Sequence, residues 1–318
     1  MKIMTMTNHR TPFSFSRRTG AALLVVLLIA PVARAADAKA SLQAQATDLF
    51  NSLTPEQRKD ALLAYDDPQR NAEVYTGGKR AGVQLSALDE KQRGAAMGLL
   101  KSFTSEYGAK KCEAISAQTP NPGEQGGMDR YYLAFFGEPG KDAKYAWRLS
   151  EHHLTLVHIE IADGEPASFG PILLGANPPT LWDDEEDALI ALYGAMSAPE
   201  REKAKQEGNG VAAKPMENHA GVKVSELSPT ARAKVKAVYE NRLKFFSDDI
   251  RARIEKLVAA NGGIESMNVA FWGAAEKRCR DGGKWDFKLG NANFLCDYEN
   301  NRKHIHLAMK GKLGDGAK

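Results

Sequence analysis

The chain has 318 residues, 43% apolar and 26% charged, with 43 basic and 40 acidic side chains. The first 35 residues hold five of those basic side chains and no acidic one, so the remainder carries 38 against 40. That balance offers no basic surface to nucleic acid or lipid, and the apolar share is that of an ordinary globule.

Residues 1–35 read as an export signal. Arg10, Arg17 and Arg18 precede the apolar run Ala21–Ala30, and Ala33-Arg34-Ala35 supplies small residues for cleavage. The run is shorter than the ~20 residues that span a bilayer, so no membrane anchor is expected after cleavage. Ser16-Arg17-Arg18-Thr19 leaves a twin-arginine route open beside ordinary secretion. A periplasmic or secreted location is expected, and in that oxidising setting Cys279 and Cys296, which flank a hairpin-like stretch, are expected to form a disulfide. Cys112 lies in a helical pattern and reads as a small buried hydrophobe.

Helices come first. Thr54-Pro55-Glu56-Gln57 is a capping box with proline at the first helical position. Asp89 with Gln92 opens a second helix, predicted to run through Leu99, Leu100 and Phe103 to near Gly108. Strand patterns follow at Tyr131–Phe136, Tyr145–Ile161 and Phe169–Leu174. Leu181–Glu207 is helical again; its acidic start, Asp183–Asp187, suits a helix dipole better than a calcium site. Ser197 with Glu200 repeats the capping signal, and Gly208–Ala220 reads as a linker. Ser228-Pro229 opens a long helix with a break near Ser247-Asp248 and an end at Asn261-Gly262-Gly263. Met267–Trp272, Trp285–Leu289, Phe294–Tyr298 and Lys303–Lys310 read as strands. Helices followed by hairpin-spaced strands predict an α+β fold with antiparallel sheets.

The order repeats. Pro55–Ala61 returns as Pro199–Ala204, Ala81–Leu88 as Ala220–Leu227, Leu100–Glu106 as Leu243–Asp249 and Gly126–Gly137 as Gly262–Gly273. The offset stays between 136 and 144 residues, which predicts an internal duplication with repeats at 36–180 and 181–318 packed as one globule.

The histidines do not follow the repeat. His152 and His153 stand opposite Ala292 and Asn293, and His304 and His306 stand roughly opposite Ser168 and Gly170. On a strand, residues two apart share a face, so His304 and His306 project together, while His152 and His153 point oppositely and only one of them can join. His158 lies too far along the strand to share their ligand. Two imidazoles at this spacing plus a third can grip a transition metal, with zinc, copper or iron all suited to imidazole. Glu151 is a candidate general base. No P-loop, dinucleotide fingerprint, nucleophile elbow or zinc-protease motif is present.

The segment Tyr131–Pro179 carries Phe135-Phe136-Gly137-Glu138-Pro139, then Trp147 with His152-His153-Leu154, then Phe169–Pro178. These motifs, with the later His304-Ile305-His306, resemble the exported family of domain of unknown function 3500 over most of the chain. That family usually has glycine where Glu151 stands, and its C-terminal ending is matched here only loosely, by Lys310 and Asp315-Gly316. The resemblance implies export and a shared fold and carries no settled activity. The leading reading is an exported protein whose His304, His306 and one of His152 and His153 hold a transition metal, for hydrolysis, oxidation or ion holding. The rivals are a metal-free periplasmic binding or interaction protein, whose histidines hydrogen-bond a ligand such as a small molecule or each other, and a structural envelope protein.

Overall fold

The computed structural model describes residues 41–119, 125–161, 168–208, 220–301 and 304–314. The predicted export signal, and residues 209–219 of the predicted linker, lie outside them. The elements in chain order are α1 (Leu42–Ser52), α2 (Pro55–Ala61), β1 (Leu62–Leu63), β2 (Val83–Gln84), α3 (Glu90–Phe103), α4 (Glu106–Ala117), β3 (Tyr132–Phe136), β4 (Lys144–Glu151), β5 (Leu154–Ile161) and β6 (Ser168–Ala176). They continue with α5 (Asp183–Ala195), α6 (Ala198–Ala204), β7 (Val222–Lys223), α7 (Pro229–Leu243), α8 (Asp248–Ala260), β8 (Asn268–Trp272), β9 (Asp286–Asn291), β10 (Phe294–Asn301) and β11 (His304–Lys312).

All the described strands join one sheet, in the order β1-β3-β4-β5-β6-β11-β10-β9-β8-β7, with β2 beside β3. Every pairing is antiparallel except β1 with β3. The fold is α+β, as the run of helices before hairpin-spaced strands predicts. The middle of the sheet is the ladder between β6 and β11, where Leu174 faces Leu307 and Gly175 faces His306. Ile305, Leu307 and Met309 enter the main core with residues of the helices, so His304 and His306 alternate to the other face. Among the described residues no helix is long and apolar enough to cross a membrane.

Helix starts follow the capping signals. Thr54 and Asp89 each form a full capping box with the glutamine three residues on. One helix boundary differs from its prediction. The helix opened by Asp89 stops at Phe103 instead of near Gly108, because Thr104 bridges Phe246 and Ser105 starts α4 by accepting the Gly108 N–H. Ser105 donates its N–H to the Phe245 carbonyl, and Ser247 donates to the Phe103 carbonyl. A long-range bridge, not local sequence, therefore sets this boundary.

The expected disulfide is absent: Cys279 and Cys296 are both free and buried. Cys279 sits in a short helical turn and donates its thiol to Asn300 Oδ1 at 3.1 Å, while Cys296 lies within β10, opposite Leu289 and Met309. Burial pushes their thiols up to about 11 and about 12, so both stay protonated. Cys112 is fully buried in α4, as expected.

Two buried carboxylates tie helices to the sheet and to each other. Glu185 of α5 pairs with Arg242 of α7 at 2.6 Å, and Arg242 also donates to the carbonyls of Asp297 and Ala308 on β10 and β11. Glu200 accepts the Ser197 N–H at 2.6 Å and the Ser228 N–H, joining the starts of α6 and α7. Burial raises the Glu200 carboxyl, but these hydrogen bonds outweigh it and hold the group at about 2, below its ordinary 4.5. Its charge therefore stabilises the fold above pH ~4.5, and that contribution fades as pH falls toward ~2. Glu200→Ala leaves two N–H groups without their acceptor and should cost about 1–3 kcal/mol in urea unfolding at pH 7. The gap to the parent should narrow steadily in the same measurement between pH 4.5 and pH 2.

Candidate metal centre

The continuous strand expected over Tyr145–Ile161 is two strands. Glu151 faces Leu154, and His152-His153 form the two-residue tip of the β4–β5 hairpin. The double histidine therefore does not alternate across a strand. His153 takes the left-handed conformation, φ 58°, the one non-glycine among the described residues to do so. Its backbone is pinned on both sides: its N–H donates to the Tyr75 carbonyl at 2.9 Å, and its carbonyl accepts the Gly175 N–H at 2.8 Å.

Those bonds put His153, Gly175 and His306 in one line across three neighbouring segments, the β4–β5 hairpin tip, β6 and β11. Strands lie ~4.8 Å apart, so His153 and His306 stand about two spacings from each other. Gly175 between them has no side chain; a Cβ there would lie 2.7 Å from Cγ of His153. The two imidazoles close over the gap to a centroid distance of 5.3 Å, with His304 at 5.6 Å from His153 and 4.7 Å from His306. One ring nitrogen from each of His153, His304 and His306 lies within 4.8 Å of the others.

His153 is 5% exposed, the His306 side chain 12%, and His304 is half-buried. Nδ1 of His153 and Nε2 of His306 are buried with no hydrogen-bond partner. Burial first, then the neighbouring imidazoles, pushes His153 down to about 2; burial and His306 lower His304. Both rings are therefore neutral donors at pH 7. His306 turns Nδ1 toward Glu299 at 3.4 Å, across the β10–β11 ladder, and stacks on Tyr75 at 3.9 Å. A carboxylate at one imidazole nitrogen fixes the ring and leaves the other free to bind, the usual support of a metal-bound histidine. Tyr75 donates to the Leu307 carbonyl, and burial holds its phenol protonated.

The other predicted residues take different places. His152 stacks on His153 at 3.9 Å, outside the three-nitrogen group, and its carbonyl accepts the Tyr131 hydroxyl. Glu151 is committed to the loop: it accepts the Gly78 N–H at 2.7 Å and lies 3.6 Å from Arg130. His158 is apart, bonded to Glu160 and packed against Phe103 and Trp147. Tyr75, Gly175 and Glu299 belong to the site and carry no motif. The hairpin register could have found Glu299, since pairing β10 with β11 sets it opposite His306.

The fold and the cluster define an α+β protein whose central ladder carries a cluster of three histidines. The chain belongs to the family described as protein of unknown function (DUF3500), whose model matches residues 35–315. No curated protein and no solved structure matches it.

Gly175→Ala tests the geometry. The added methyl must displace the His153 ring or the hairpin tip, and overpacking of this kind costs ~1–3 kcal/mol in urea unfolding. An unchanged midpoint would show that the ring is not seated over residue 175.

Proposed function

We propose that the protein holds one transition-metal ion through His153, His304 and His306. One observation carries the reading: three histidine nitrogens converge within 4.8 Å, and two of the rings present buried nitrogens with no other partner. Burying polar nitrogens without partners is costly, so an arrangement that buries two of them side by side calls for a ligand. Neutral nitrogen donors favour zinc, copper or iron over calcium or magnesium, which prefer oxygen. Three imidazoles and an open position also form the donor set of a catalytic zinc site, at which an ion acts as a Lewis acid. The nearby carboxylates are engaged elsewhere, Glu151 with Gly78 and Glu299 with His306, so ion holding fits the surroundings better than proton abstraction.

Two further parts complete the proposal. The chain works outside the cytoplasm, supported by the basic and apolar run before Ala33-Arg34-Ala35 and by a family match that begins at residue 35. N-terminal sequencing of protein from the periplasm or medium should read from Ala36; a start at Met1 would remove this part. The chain also arose by duplication, with each repeat supplying a different set of ligands. The reciprocal Ser105–Phe245 and Ser247–Phe103 bonds and the strand order mirrored about β6 and β11 support it.

Elemental analysis of untagged protein should find close to one equivalent of a single transition metal, as isolated or after reloading. His304→Ala/His306→Ala should lose it and keep the circular dichroism of the metal-free parent. A parent that takes up no ion in either state would leave the histidines to hydrogen-bond a small molecule or one another.

A further inference from the structure

The opposite end of the β6–β11 ladder holds a cavity of about 430 Å³. Its position mirrors that of the histidines. There the hairpin tip is Ala292-Asn293, between β9 and β10, and Lys312 donates its N–H to the Asn293 carbonyl as Gly175 does to His153. Ser168 and Gly170 line this end where His304 and His306 line the other. No imidazole fills the space, and a cleft opens instead.

The lining has two characters. Arg70, Lys310 and Lys312 bring three cations against one carboxylate, Glu73, which pairs with Lys310 at 2.5 Å. The Arg70 guanidinium stacks on Tyr65 at 4.1 Å, and its Nε and Nη1 are buried with no hydrogen-bond partner. Phe169, Pro171 and Ile159 form the apolar wall. The volume falls within the ~300–1,000 Å³ of small-molecule pockets. A guanidinium is a permanently charged planar donor that pairs with carboxylates, and its seat on Tyr65 restricts its motion. With Lys310 offset by Glu73, the positive charge left is that of Arg70 and Lys312, and the apolar wall disfavours a fully hydrated polyanion.

We propose that this cavity binds a small organic carboxylate, its head on Arg70 and Lys312 and its apolar body against Phe169 and Pro171. None of the three histidines lines it, so the inference stands apart from the metal reading.

Isothermal titration of metal-stripped protein with octanoate, octanol and octylamine tests it. Octanoate should saturate one site, octanol should bind about tenfold or more weakly, and octylamine should not bind. Arg70→Gln should weaken octanoate by about tenfold or more. Ala292→Trp, from an exposed position at the mouth, should block it without touching Arg70. Both variants should keep the parent's metal content, which separates this result from failure of the histidine site. No saturable octanoate binding, octanol binding as tightly, or parent-like octanoate binding by folded Ala292→Trp would overturn the proposal.

Discussion

The site depends on the absence of one side chain. Gly175 lies between His153 and His306 in the sheet, and neighbouring strands alone would keep their rings apart. Removing a single Cβ lets imidazoles from non-adjacent segments close over the backbone. The rest of the local structure supports that closure. The left-handed turn aims His153 inward, Tyr75 lies flat against His306, and Glu299 occupies the far nitrogen of that ring.

The larger fold holds this seam in place from the other side. The Arg242 guanidinium spans from Glu185 to the carbonyls of Asp297 and Ala308, within a few residues of His306 on the same ladder. Removing one member of such a buried pair leaves the other charge stranded, so α5, α7 and the central strands behave as one unit. Apolar packing of Ile305, Leu307 and Met309 fixes which face β11 shows, and the histidines inherit their direction from it.

Much of this was legible in the residues, and the exceptions share a cause. The capping boxes at Thr54, Asp89 and Ser197 are local hydrogen-bond devices, and local sequence specifies them. The alternation of His304 and His306 with Ile305 and Leu307 is also local. The end of α3 is not: it is set by a bridge to Phe246, 142 residues on from Thr104. The hairpin tip at His152-His153 was hidden because both residues sit inside a long run rich in β-formers with no glycine, asparagine or proline to mark a turn. The spacing of Cys279 and Cys296 said nothing of the side-chain directions that keep their sulfurs apart. Tyr75 and Gly175 could be found only once the strand order was known.

The place of β11 in that order bears on how the chain reaches its native state. It is made after every other described strand, yet it sits in the middle of the sheet between β6 and β10. Until it inserts, both of those neighbours present open hydrogen-bonding edges, the feature that invites unwanted association between chains. Its contacts with β6 span more than a hundred residues, a separation that slows assembly. Closing the sheet and bringing the three imidazoles together thus depend on the same strand, and the histidine cluster cannot exist without β11 in its place.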